Sequence, residues 1–270
     1  MKQPVLVTVA LLLGMAGFVR AQNAELHGTV SVTYQSKYVW RGIDVYEDKS
    51  AVQAAIDLDL FGTGFGICTM AHRANSSGFE NRERWDYAVY YHSSVFDDQP
   101  YATDYIVSTV YYQLPDQSRK RFDMQEVYTL FSWPKILPIK GLVPRYCLAK
   151  AWPAKSGSMI GSRSPMGGTA SGFAHIFMLD YALPIEALFT DVPEQVLRLH
   201  SELIYNDGVG PAGQNIDQDW SNATFGIATD IDLGNNLTLV PSVYHQVTMD
   251  KSVNPDKDET WVDLSVRYRF

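Results

Sequence analysis

The chain has 270 residues, 46% of them hydrophobic and 19% charged, with a formal net charge of −8. An acidic chain without a run of Lys and Arg has no general attraction for phosphate backbones, so nucleic-acid binding is excluded as a function class. Past the N-terminal segment no 18 residues stay apolar without a charged or strongly polar interruption, which rules out helical spans and leaves a soluble fold or a β-barrel.

At the N-terminus, Lys2 precedes the apolar stretch Val5 to Phe18, and Val19-Arg20-Ala21 ends in small residues at the spacing of a signal peptidase site. Residues 1–21 are expected to be a cleaved signal peptide and 22–270 the exported domain. A membrane anchor is the competing reading, but a helical span needs about 20 apolar residues. Cleavage removes Lys2 and Arg20 and no acidic residue, leaving 20 basic and 30 acidic side chains and a net charge of −10.

The first strand alternates Leu26, Val30, Val32, Tyr34, Tyr38 and Trp40 against His27, Thr29, Thr33, Gln35, Lys37 and Arg41. One face suits lipid and the other water. A second strand carries Val52, Ala54, Ile56, Leu58 and Leu60 against Gln53, Asp57 and Asp59, and the turn Gly62-Thr63-Gly64 leads into a third from Phe65 to His72. Further strands are expected near 85–92, 103–114, 122–133, 142–152, 173–183, 197–206, 223–233 and 237–248. The four between 103 and 183 are ambiguous in phase. Leu197, Leu199, Leu203 and Tyr205 oppose Arg198, His200 and Glu202; Phe225, Ile227 and Ile231 oppose Thr224, Asp230 and Asp232. The terminal strand is the cleanest, with Thr260, Val262, Leu264, Val266, Tyr268 and Phe270 against Glu259, Trp261, Asp263, Ser265, Arg267 and Arg269.

These readings give one all-β domain, a transmembrane antiparallel β-barrel of about 12 strands with both termini periplasmic. Sixteen Tyr, twelve Phe and six Trp fit such strands. Tyr38, Trp40, Tyr205 and Trp220 are placed in an outer aromatic belt, and Phe65, Trp133, Tyr181, Tyr268 and Phe270 in an inner one. Tyr268 and the terminal Phe270 look like an assembly signal read by the barrel assembly machinery. External loops are expected at 44–49, 73–84, 115–121, 153–172, 207–222 and 249–258. The internal turn 184–194 is long, and a short helix would fit there. Cys68 and Cys147, on the third and seventh strands, are expected to be unpaired, because a disulfide needs Cα atoms within about 7 Å.

Ser36-Lys37-Tyr38-Val39-Trp40-Arg41-Gly42, followed by Lys49-Ser50-Ala51-Val52-Gln53 and Ile56-Asp57-Leu58-Asp59, resembles the TorF-type porin family of bacterial outer-membrane proteins. Asp86, Glu126 and Tyr205-Asn206-Asp207-Gly208 are weaker echoes of it. Trp40 stands where that family commonly has Phe, and the 153–172 loop departs from it. The resemblance implies a barrel and a pore, with no catalytic residues.

No enzyme is expected. His200 and Ser201 are adjacent in a strand and point to opposite faces, as do Ser242 and His245, while Ser171 and His175 lie about 13 Å apart at about 3.3 Å per residue. Gly62-x-Gly64-x-Gly66 reads as a hairpin turn rather than a phosphate loop. Asn254-x-Asp256-x-Asp258-Glu259 reads as a solvated acidic loop, with a calcium ion bridging to lipopolysaccharide as the alternative. No cofactor or resident metal is implied.

The candidate pore-lining residues are Lys37, Arg41, Asp57, Asp59, Arg198, His200, Glu202, Asp230, Asp232, Asp263, Arg267 and Arg269. Opposed rows of charge would set a transverse field across an open lumen; in a closed lumen they would pair. The first reading is an outer-membrane channel for passive diffusion of small polar solutes. The alternative is a non-conducting structural or adhesive barrel. Outer-membrane lipid and lipopolysaccharide are the expected surroundings, and a homo-oligomer is compatible with either reading. The 153–172 loop, with Lys155 and Arg163, is expected to fold inwards and narrow the pore or to remain a surface loop.

Overall fold

A computed structural model describes residues 25–117, 122–154, 171–186, 194–210, 215–216, 218–251, 253–254 and 257–270. The signal segment, most of the 153–172 loop and the 187–193 turn with its expected helix lie outside the described residues, so those readings stand as expectations.

Alternation produces the staves. In order they are β1 (His27–Gln35), β2 (Ala51–Asp59), β3 (Phe65–Ala74), β4 (Arg84–Val95), β5 (Thr103–Gln113), β6 (Met124–Ser132), β7 (Leu142–Pro153), β8 (Gly172–Glu186), β9 (Glu194–Asp207), β10 (Asp219–Thr229, continued past Asp230 as Ile231–Gly234), β11 (Leu237–Thr248) and β12 (Glu259–Arg269). Each pairs antiparallel with its sequence neighbour, and β12 pairs with β1 from Thr29 opposite Arg269 to Gln35 opposite Asp263. The sheet is therefore a closed 12-strand barrel without free edges, which satisfies every ladder internally. Gly28 and Phe270 exchange backbone hydrogen bonds of 3.0 and 3.1 Å at the seam.

Both short turns, at Gly62–Gly64 and Gly234–Asn236, lie at the end of the barrel where β1 begins and β12 finishes. Positive φ at Gly234, Asn235 and Asn236 (79°, 51° and 64°) shows why that turn takes Gly and Asn. Val30, Val32, Tyr34, Ile56, Val89, Phe225, Ile227, Val262, Leu264, Val266 and Tyr268 are exposed on the outer wall. Inside, Tyr90 lies across Gly66 and Tyr244 across Gly226, each tyrosine on the residue directly opposite the glycine. A Cβ on either glycine would come within 2.1 or 2.4 Å of the ring. Cys68 and Cys147 are free.

One expectation is overturned. Tyr38 and Trp40 do not continue the outward face of β1. Tyr38 is buried with Val45, Tyr46, Ala51, Ala74 and Leu114, and Trp40 packs against this cluster inside the barrel. The strand stops at Gln35, so its parity no longer sets the direction of the residues beyond it. Tyr205 and Trp220, by contrast, meet edge to face at 5.2 Å on the outer wall.

Candidate functional site

The segment 36–50 folds into the end of the barrel opposite the short turns. Ser36 starts the departure: its backbone N–H donates to the Val262 carbonyl and its Oγ accepts from the Val262 N–H, both at 2.9 Å. Val39–Trp40 then pairs with Ile43–Asp44, and Arg41 and Gly42 take φ of 49° and 89° at the two turn positions. Two successive positive φ values make a tight hairpin whose twist matches its strands.

The inserted hairpin is held on every side. Tyr38 stacks on His72 with centroids 4.8 Å apart, and Trp40 meets Tyr112 edge-on at 6.0 Å. The Arg84 guanidinium lies 4.8 Å from the Trp40 ring and 4.9 Å from Tyr112, and donates to Asp86 at 2.8 Å. Asp86 also meets His72 Nε2 at 2.9 Å, while Gln53 holds His72 Nδ1 at 2.9 Å. At the tip, Arg41 donates to Glu126 at 2.7 Å, and the Tyr112 hydroxyl donates to the other carboxylate oxygen at 3.1 Å. Asn254 donates its amide to the Gly42 carbonyl at 3.1 Å. A Cβ on Gly42 would strike Asn254 at 2.3 Å and Asn222 at 2.8 Å, so the tip must be glycine for both φ and space.

At the base, Lys37 bonds to Asp48 and Glu259, and Lys257 reaches Asp48 at 3.1 Å. Burial works against the Lys37 charge, but the two carboxylates outweigh it and hold its pKa above the usual lysine value. Asp48, in turn, is held below the ordinary carboxylate range by its bonds to Lys37 and Lys257. Burial pushes Asp44 up, against the lowering effect of the Asp48 and Tyr46 backbone N–H groups. Asp44, Asp48 and Glu259 bring carboxylate oxygens within 4.8 Å of one another, and the two lysines already compensate this acidic cluster.

Beneath the hairpin the other half of the barrel encloses a cavity of about 680 Å³, lined among others by Gln35, Asp180, Arg198, His200, Asp263 and Arg267. Asp180 bridges Arg145 at 3.0 Å and His200 at 2.6 Å. Arg198 bonds to Asp230, and Gln35 donates to Asp263 at 3.1 Å. Across the barrel, Asp57 accepts from Tyr90 at 2.6 Å and Asp59 lies 3.6 Å from His92. Among the described residues, Arg267 and Arg269 make no ion pair. The wall thus carries free cations on β12 and acids on β2, the two neighbours of β1.

The candidate residues therefore separate into groups. Asp57, Asp59, Arg198, His200, Glu202, Asp263, Arg267 and Arg269 face inwards from strands. Lys37 and Arg41 belong to the inserted hairpin instead of the wall. Asp230 sits at the break in β10, and Asp232 accepts the Gly234 N–H at 2.8 Å as a turn cap. Asn254 is committed to Gly42, Asp258 accepts the Thr248 N–H at 2.8 Å, and Asp256 lies outside the described residues. Sequence reasoning missed His72, Arg84, Tyr112, Arg145 and Asp180. For Arg145 the misleading feature is Lys150, which has the opposite parity on the same strand.

Fold and interior together define a closed 12-strand antiparallel β-barrel with an apolar outer wall and a charged interior. The chain is similar to the KdgM porin, with a TM-score of 0.52 at 11% identity over 90% of this chain and 99% of that one. A second structure, KdgM porin in complex with disordered oligogalacturonate, gives 0.51 at 11% identity over 90% and 99% of the two chains. An outer membrane channel from Pseudomonas putida F1 gives 0.51 at 10% identity, over 93% of this chain and 100% of that one. At such identities the likeness is one of fold. No protein-family model and no curated protein sequence matches the chain.

Proposed function

We propose that this protein is an outer-membrane channel for small polar solutes, of TorF-type porin character, whose constriction is the inserted hairpin of residues 36–50. The loop-bearing end faces outwards and the short-turn end the periplasm. The observation that carries the reading is the arrangement of the lumen: a cavity of about 680 Å³ whose wall carries charge of both signs, with Arg267 free of any ion pair among the described residues, and with the inserted hairpin over one end. A barrel of 8 strands is filled by its own side chains, whereas 12 strands leave room for a narrow passage. The neighbours that share the fold include porins and channels, which supports this reading over an enzyme.

The packed outer half favours a second reading, a non-conducting structural or adhesive barrel. Planar-bilayer recording separates the two. The refolded protein should give small, frequently closed steps, and replacing residues 37–48 by a Gly/Asn turn should give larger, steadier ones. If both proteins are folded and neither conducts, the channel reading fails.

A further inference from the structure

The outward register of the strands is apolar, aromatic or uncharged polar almost throughout. Arg73 and Asp207 lie at the ends of β3 and β9, and Arg73 is paired with Glu83 at 3.0 Å. Within the strands, among the described residues, the register holds one formally charged side chain, Lys150 on β7. Its face is fixed by its partners: it stands opposite Val127 and Phe173, both exposed on the outer wall. It lies three residues from Pro153 at the strand end, about 10 Å along the strand.

Lys150 has no carboxylate partner among the described residues. Its Nζ rests 4.3 Å from the centre of the Phe173 ring. On the same face and one diagonal step away, His175 Nδ1 lies 2.7 Å from the Tyr146 hydroxyl. In the tautomer that protonates Nε2 the phenol donates this bond, and the Nε2–H is left to meet an outside acceptor. The Trp152 indole N–H, bonded to Gln125 at 2.9 Å, borders the patch, and the rings of Phe173 and Phe177 supply apolar surface below. A cation on a lipid-facing wall is unfavourable unless an anion meets it at the headgroup level.

We propose that Lys150 and His175, on the outer wall of β7 and β8, bind a phosphate of an anionic lipid headgroup, that of the lipid A moiety of lipopolysaccharide. The assignment of the source rests on the proposed orientation, with the loop-bearing end in the outer leaflet. The ammonium supplies charge, the imidazole N–H a directed donor, and the flanking aromatic side chains the surface for an acyl chain. An inorganic phosphate would find the first two and lack the third.

Native mass spectrometry of the full-length, detergent-folded barrel tests this with three probes: bisphosphorylated lipid A, dephosphorylated lipid A and inorganic phosphate. The wild type should retain lipid A, Lys150→Gln should bind it about tenfold more weakly, as expected for one charge-assisted contact, and Lys150→Arg should stay near wild type. Dephosphorylated lipid A should bind the wild type as weakly as lipid A binds Lys150→Gln, and inorganic phosphate should not displace the lipid. Equal lipid A binding by wild type and Lys150→Gln overturns the site, as does equal binding of the dephosphorylated form. Displacement by inorganic phosphate overturns the lipid as ligand. Heat-dependent gel mobility verifies that each variant is folded, and the binding is read independently of conductance. Labelling of whole cells at a cysteine introduced in the 75–83 loop reports the orientation separately. An inaccessible label there overturns lipopolysaccharide as the source and leaves the lumen chemistry untouched.

Discussion

Replacing Arg41 by Ala puts the inserted hairpin to the sharpest test. The Glu126 side chain is only 3% exposed, and without Arg41 it keeps one described donor, the Tyr112 hydroxyl at 3.1 Å. Leaving one member of a buried ion pair uncompensated costs about 3–5 kcal/mol. Loss of the guanidinium from the Trp40 ring, 4.9 Å away, adds about 0.5–1 kcal/mol. This cost falls on the docked arrangement, because a withdrawn hairpin leaves Glu126 facing a hydrated lumen. At about 1.4 kcal/mol per factor of ten, docking weakens by roughly 10²–10⁴-fold. Single-channel recording should show longer open periods and a higher mean conductance, with unchanged heat-dependent gel mobility. Adding Glu126→Gln removes the stranded charge and should restore part of the docking. A folded Arg41→Ala protein whose current trace matches wild type would refute the hairpin as the constriction.

Acid should release the same loop from its other end. Because Asp48 has a depressed pKa when docked, its contribution is present above its unfolded value of about 3.9 and is lost as pH falls through the docked value; Asp44, raised by burial, acts with the opposite sign. Conductance should therefore stay low from neutral pH to about pH 5 and rise below about pH 4; a rise centred near neutrality would implicate other groups. Gly66→Ala and Gly226→Ala should each lower unfolding stability by about 1–3 kcal/mol in denaturant titrations, since the added Cβ meets the Tyr90 or Tyr244 ring, and Tyr90→Ala should relieve the first. Phe270→Asp should reduce the membrane-assembled fraction in cells, because it places a charge on the outward face at the seam where Phe270 bonds to Gly28; normal assembly would deny that residue its role.

The staves are legible in the sequence because a barrel wall imposes a strict two-residue period between lipid and water, and β2, β9 and β12 obey it without exception at their candidate charged positions. The middle strands blur it for a physical reason. Lys150 faces outwards and Arg145 inwards from the same strand, and Tyr residues occupy both faces, as Tyr111 and Tyr112 do on β5. Polarity alone therefore assigns neither face. Parity also carries no information about where a strand ends, and this is why alternation alone puts Tyr38 and Trp40 on the outer belt.

The clues to the inward turn are local and of another kind. Ser36 is short enough to cap the Val262 N–H, and Arg41-Gly42 supplies the two positive φ values of a tight hairpin. The aromatic residues Tyr38, Trp40 and Tyr46 then need burial that a solvated external loop cannot give them. Their partners, His72, Arg84, Tyr112 and Glu126, come from β3 to β6, four strands scattered over more than fifty residues of sequence. Each of these side chains is costly to bury alone and tolerable once the others surround it: Arg84 needs Asp86 and three rings, and Glu126 needs Arg41 and Tyr112. The motif at 36–42 and the polar residues on β3 to β6 are thus one constraint written in separate places. A substitution in either place should be read as a change to the docked hairpin, the proposed constriction, and paired changes at 41 and 126 should compensate where single ones do not.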